Sequence, residues 1–81
     1  MFFNFIKYVP EKEYSILAQA YYYKECGIIT INTNHITSIT KIAAEIEGKR
    51  ACLLVITTLC GLTFVCEPKN YEKYHKVFEN D

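Results

Sequence analysis

Several signatures of common activities are missing from this chain of 81 residues. The three glycines are isolated from one another, so no glycine-rich loop is available to cradle a phosphate group. The spacing of the four cysteines matches neither a C-x-x-C motif nor a Cys/His zinc pattern. No pair of carboxylates lies within an apolar run, where burial would raise a pKa enough for general acid catalysis. The sequence therefore predicts no enzyme, no cofactor and no metal site.

An excess of one charge is also missing. Nine basic and nine acidic residues cancel to a formal net charge of 0, whereas a general nucleic-acid binder is expected to carry a basic excess. No apolar run is long enough to cross a membrane, and the first residues lack the basic segment and apolar core of a secretory signal peptide. These absences argue against nucleic-acid and membrane partners, and they predict a cytoplasmic protein with reduced thiols.

The cysteines are then expected to be buried rather than paired. Cys52, Cys60 and Cys66 lie in or beside apolar segments, where a free thiol behaves as a small hydrophobic group. We expect these three thiols to react slowly in the native protein, and we expect no disulfide.

Apolar residues, by contrast, are abundant. Hydrophobic residues make up 51% and aromatic residues 15% of the chain, which excludes a disordered segment. Eighty-one residues allow one domain, residues 1–81. A domain of this size buries only about 60–65% of the surface that its unfolded chain exposes. Part of the apolar surface is therefore expected to form a contact between subunits.

The segment 51–67, ACLLVITTLCGLTFVCE, is the centre of the predicted fold. Its apolar and β-branched residues are interrupted by Gly61, a pattern typical of two adjacent strands or one kinked strand. Both alternating sets of side chains in this segment are apolar, and strands of that kind are usually buried on both faces.

The rest of the chain up to this segment is predicted to form strands. Residues 14–24 fit a strand, although a helical stripe is also present, and residues 36–46 carry the same ambiguity. The complete assignment is a strand at 1–9 ended by Pro10, a polar turn at 10–13, strands at 14–24, 28–32 and 36–46, loops at 25–27 and 32–35, and a hairpin turn at 47–50.

The carboxy-terminal segment is predicted to be helical. Pro68 favours the first turn of a helix, which runs to about Phe78. Tyr71, Tyr74, His75 and Phe78 recur at the spacing of one helix face. Tyr71, Tyr74 and Phe78 are the predicted buried anchors, and His75 is expected at the edge of the core.

The predicted fold class is α+β, a small, mostly antiparallel sheet of four to five strands with one carboxy-terminal helix packed on it. One helix covers only one face of such a sheet, while both faces of the central strands are apolar. A second subunit is therefore expected to cover the other face, unless residues 14–24 are helical.

Aromatic and basic residues supply a candidate interaction surface, which consists of Tyr21, Tyr23, His35 and Arg50. Such a surface can bind a protein, because tyrosine is enriched in protein contacts, and it can also stack a nucleotide base. Solvated side chains at a sheet edge give the same pattern. The sequence leaves these alternatives open.

One resemblance rests on the order of elements between residues 21 and 78. A strand ending in Ile31-Asn32 leads through a short loop to a strand at 36–39, a later turn contains Gly61, and a helix at 71–78 closes the chain. In this order the chain resembles the small FlbD-like flagellar and swarming-motility proteins and related short bacterial or phage proteins. The resemblance implies a small β-sheet with one carboxy-terminal helix and a non-enzymatic accessory role.

The predicted function is that of a small, non-enzymatic interaction protein that acts through protein–protein contacts as a homo-oligomer. Its partners are then itself and a further protein that the sequence does not identify. The sequence does not separate a motility accessory from a phage-encoded inhibitor of a host system. The alternative is an oligomer that binds a small ligand or a nucleotide in a pocket between subunits.

Overall fold

Strands make up most of the chain. The computed structural model describes residues 1–15 and 20–79, with the side chains of residues 1–11 and 21–79. Its elements are β1 (Phe2–Ser15), β2 (Ala20–Asn32), a 3-10 turn (Thr33–His35), β3 (Ile36–Ile46), β4 (Lys49–Thr58), β5 (Thr63–Pro68) and α1 (Tyr71–Phe78). A five-stranded sheet with one carboxy-terminal helix confirms the predicted α+β class.

The five strands close into a ring in chain order. β1 lies antiparallel to β2 and β5, and β4 lies antiparallel to β3 and β5. β2 and β3 instead pair in parallel, at Tyr21 with Ala44 and at Tyr22 with Glu45. The pairing is thus mostly antiparallel, as predicted. The closure of the strands into a ring, with β2 and β3 paired in parallel, was not predicted.

A bulge at Gly27 bends the long hairpin of β1 and β2. Ile6 faces Ile28 and Tyr8 faces Glu25, so β2 has one more residue than β1 between these pairs. Gly27 adopts a φ of +83° in this bulge. Glycine adopts that conformation without strain, whereas for a residue with a Cβ atom the conformation costs roughly 1–2 kcal/mol of free energy. The bulge therefore depends on a glycine within β2, at a position that the sequence predicts to be part of a loop.

The turn predicted at 10–13 and the loop predicted at 25–27 are wrong. β1 continues through Pro10, which faces Tyr23, and the register shifts just after this pair. Proline has no N–H to donate, and an irregularity of this kind is one of the few places where a strand tolerates it. Residues 25–27 likewise belong to β2, which bulges there instead of ending.

The strand predicted at 36–46 is confirmed, and the one predicted at 28–32 is the last part of β2. The single strand predicted at 14–24 is wrong: residues 14–15 end β1 and residues 20–24 begin β2, with Ser15 facing Ala20. Residues 16–19 lie outside the described residues. The segment 51–67 forms two adjacent strands, β4 and β5. The hairpin turn before β4 consists of Glu47 and Gly48, both with positive φ, as a two-residue turn of type I′ requires.

The helix begins later than predicted. Pro68 is the last residue of β5, and Asn70 caps α1 by accepting a hydrogen bond from the Lys73 backbone N–H at 3.0 Å. The predicted end at Phe78 is confirmed.

The larger core lies between α1 and one face of the sheet. Tyr74 is 4% exposed and packs edge-on against Phe3, with ring centroids 6.3 Å apart. Phe78 stacks on Tyr74 at 4.9 Å and is partly buried. Tyr71 is 49% exposed, so the prediction that it is a buried anchor is wrong. The other buried members of this core are Phe5, Ile31, Leu54, Ile56 and Cys66.

A smaller core lies on the opposite face of the central strands. Tyr8 and Leu53 are buried in it, and Tyr23 and Val65 pack against them. Tyr8 and Tyr23 come from the part of the β1–β2 hairpin beyond the Gly27 bulge. The bent hairpin therefore covers the face that had been expected to need a second subunit.

Candidate functional site

Charged side chains are absent from three segments of the sequence. Residues 1–6, 26–40 and 51–66 contain no Lys, Arg, Asp or Glu, although these residues make up 22% of the chain. The three segments meet in the fold, because Phe3 faces Ile31 and Ile56 lies between Ile39 and Phe64. We call them together the uncharged region.

Large apolar side chains are exposed in this region. Leu59 is 68% exposed and Phe2 is 66% exposed. Across the described part of the chain, eight large apolar residues are exposed, and five of them belong to the uncharged region: Met1, Phe2, Ile28, Leu59 and Leu62. Single exposed apolar residues are ordinary, but a concentration of them without charges is typical of a contact surface.

A pocket of about 610 Å³ opens in the uncharged region. One wall is formed by residues 29–32 at the end of β2, and the other by the turn between β4 and β5 with Phe64. His35 also lines it, and no Lys, Arg, Asp or Glu does. A pocket of this chemistry suits apolar side chains and offers no Lys or Arg side chain to a phosphate group.

The turn between β4 and β5 is held by four backbone and side-chain hydrogen bonds. Thr58 N–H donates to Leu62 O at 2.9 Å, and Gly61 N–H donates back to Thr58 O at 2.9 Å. Leu59 N–H donates to His35 O at 2.8 Å, which fixes the turn to the 3-10 segment. The Thr58 hydroxyl also donates to Leu62 O, at 3.4 Å. These bonds hold Leu59 and Leu62 outward on a fixed backbone.

Cys60 occupies the tip of this turn. Its thiol is exposed and lies 3.2 Å from the Thr58 hydroxyl oxygen. The pKa of the Cys60 thiol is lowered, first by the hydrogen bond to the Thr58 side chain and then by the Leu62 backbone. Cys52 is exposed too, so the predicted burial of Cys52 and Cys60 is wrong, and Cys66 alone of the four cysteines is buried.

The structure separates the residues of the predicted interaction surface. Tyr21 and Tyr23 share an edge-on contact with ring centroids 6.3 Å apart, and Arg50 lies nearby because it faces Glu45, which pairs with Tyr22. His35 precedes β3, whereas Glu45 lies near the end of that strand. At about 3.3 Å per residue, the two are roughly 30 Å apart along the strand.

Tyr23 is also less available than predicted, whereas Tyr21 is 46% exposed. Tyr23 packs against the smaller core, and its pKa is raised by burial first and by Tyr21 second. His75, expected at the core edge, is exposed and pairs with Glu79 on the solvent side of α1.

Sequence reasoning missed the exposed residues of the uncharged region. The sequence predicts that Leu59, Leu62 and Ile28 belong to apolar strands or their turns. A signal for them was present in the sequence, because the charge-free segments are visible without a structure. The strand pairing that brings these segments together is visible only in the structure.

Neither a metal-binding cluster nor a membrane-spanning helix is found among the described residues. They contain no group of three His, Cys, Asp or Glu side chains that could hold a metal ion. No helix among them is long and apolar enough to cross a membrane.

No family model, curated protein or solved structure matches this chain. The resemblance to FlbD-like proteins therefore stays a prediction, and the function must be argued from the geometry of the uncharged region.

Proposed function

We propose that this protein is a small, non-enzymatic interaction protein of the cytoplasm that assembles through its uncharged region. The observation that carries the proposal is the coincidence of exposed Leu59, Leu62, Ile28 and Phe2 with segments that contain no charged side chain. Burying such a surface against a partner gains the free energy of apolar transfer without removing a charge from water. The accessory role implied by the FlbD-like resemblance agrees with this proposal.

The proposal is tested by the mass of the assembly in solution. Light scattering at micromolar concentration is expected to report a dimer or a larger assembly. Leu62→Lys places a charge in the contact and should shift the protein to a monomer. Val77→Lys is the matched control, because Val77 is an exposed apolar residue on α1, outside the uncharged region. A wild-type monomer, or equal disruption by both variants, would contradict the proposal.

A second candidate function follows from the pocket of about 610 Å³. Its volume is within the range of small-molecule sites, which favours an oligomer that binds a small apolar ligand there. A nucleotide fits less well, because no Lys or Arg lines this pocket. A thermal-stability screen with nucleotides and with apolar compounds separates the two functions. Stabilisation by a compound that leaves the assembly mass unchanged would favour ligand binding.

A further inference from the structure

The carboxy-terminal part of β2, residues 28–32, has one open edge. β2 pairs with β1 from Ala20 to Asn32, but among the described residues its pairing with β3 is confined to Tyr21 and Tyr22. Residues 28–32 therefore have a strand on one side only. Alternate backbone N–H and C=O groups of this segment point away from β1, toward the pocket side of the ring.

This edge lacks the usual features that prevent strand addition. Natural edges are protected by charged side chains, proline, bulges or a covering element. Residues 28–32, with the sequence IITIN, contain neither charge nor proline, and the Gly27 bulge lies just before them, so their pairing with β1 is regular. Ile28 is 54% exposed at the start of the segment.

We infer that a second copy of this chain pairs with residues 28–32 of β2, antiparallel and across a twofold axis at Thr30. This inference rests on the proposed function, for which it names the contact. In this register Thr30 faces Thr30 of the second copy, and Ile29 faces its Ile31. The two sheets become continuous, and each copy satisfies the open backbone groups of the other.

The chemistry of the segment favours a second copy over other occupants. A twofold contact brings each surface against itself, so a charged segment would repel its own image, whereas an uncharged one does not. An anionic membrane or a nucleic acid would be attracted by lysine and arginine, and the uncharged region contains neither. The second copy also brings its own apolar residues toward the pocket between β2 and the β4–β5 turn.

A charge-exchange experiment at Thr30 tests the inference. Thr30 is exposed and lies on the twofold axis, so Thr30→Lys and Thr30→Glu each place like charges opposite one another. Each variant alone should raise the dissociation constant of the dimer by about tenfold or more. An equimolar mixture of the two variants should recover a heterodimer, which native mass spectrometry distinguishes from either homodimer. Recovery is specific to a contact in which residue 30 meets residue 30.

Thr63→Lys is the matched control. Thr63 is an exposed threonine of the uncharged region, but it pairs with Thr57 within the sheet. A wild-type monomer would overturn both the inference and the proposed function. A wild-type dimer that Thr30→Lys leaves intact, or that the Lys and Glu mixture does not restore, would overturn the inference alone. The proposed function would then stand with a different contact within the uncharged region.

Discussion

The cysteines of this protein have different environments, although three of them lie close together in sequence between residues 52 and 66. Cys66 faces Leu54 on the side of the larger core, and Cys52 faces Ala43 on the same sheet but beyond the cover of the core. Burial, with a smaller contribution from Glu67, raises the pKa of the Cys66 thiol to about 12. Cys60, on the exposed turn, has a lowered pKa. The four thiols should therefore differ widely in reactivity.

We predict that Cys60 reacts fastest with an alkylating reagent in the native protein and that Cys66 reacts slowest. The thiolate is the reactive form, and Cys60 combines exposure with a lowered pKa. Mass spectrometry of the peptides after timed labelling measures the order. Thr58→Val keeps the side-chain shape and removes the hydroxyl group next to the sulfur, so it should slow the labelling of Cys60. Equal rates at Cys60 and Cys66 without denaturant would show that the turn is not formed as described.

We also predict that stability falls at alkaline pH. The native pKa of Cys66 is about 12, against 9.0 for a free thiol, because the thiol is buried and lies beside Glu67. A raised native pKa means that the unfolded state loses its proton first as the pH rises. The contribution of Cys66 is fully present below pH 9 and is lost as the pH approaches 12.

Urea unfolding from neutral pH to pH 12 measures this loss. Cys66→Ala should be less stable throughout, because it leaves a cavity, but its stability should decline less steeply above pH 9. An identical decline in both proteins would assign the alkaline transition to other groups.

At the scale of elements, α1 is held by two aromatic side chains, Tyr74 and the partly buried Phe78, and by a polar contact of Tyr71. Tyr74 is buried against Phe3. Tyr71 is exposed, but its hydroxyl donates to Glu67 Oε2 at 3.1 Å, while the Tyr8 hydroxyl donates to Glu67 Oε1 at 2.6 Å. Glu67 therefore links β1, β5 and α1. The helix is short, so its stability must come from these contacts rather than from its own backbone.

We predict that Tyr74→Ala lowers the free energy of unfolding by about 3–5 kcal/mol, the range for large aromatic truncations in a core. Tyr71→Ala should cost much less, about 0.5–1.5 kcal/mol for the lost hydrogen bond. Thermal and urea unfolding of the two variants measure how much each substitution lowers the free energy of unfolding. A change in melting temperature of no more than about two degrees for Tyr74→Ala would show that α1 does not pack as described.

At the scale of the whole molecule, both cores close within one chain. The smaller core contains side chains of all five strands, because the hairpin bent at Gly27 reaches across the ring. A second copy is therefore not needed to bury Leu53 or Val65. The proposed assembly instead concerns the uncharged region, on a chain whose two cores are already closed.

We accordingly predict that a monomeric variant remains folded. Leu62→Lys changes a side chain that is 56% exposed, so it should keep the near-ultraviolet circular dichroism of the wild type and unfold in one cooperative transition. Loss of the near-ultraviolet signal together with the assembly would indicate that the subunits fold only as they associate.

The sequence by itself determined the α+β class, the extended conformation of 28–32 and 36–46, the interruption of 51–67 at Gly61 and the end of the helix at Phe78. These features depend on local signals: alternation, β-branched residues, turn glycines and the spacing of a helix face. Local signals also misplaced Pro10 and residues 25–27, because proline and glycine serve in bulges as well as in turns.

Only the tertiary structure decided which apolar side chains are buried and which are exposed. In 51–66 both alternating sets are apolar, so the pattern cannot tell Cys66 from Cys60 or Leu53 from Leu62. Ring closure through Tyr21 and Ala44 brings residues far apart in sequence together, and it places Tyr21 at the end of β3 that lies away from His35. No local pattern encodes such a contact, because its energy arises only when the distant strands meet.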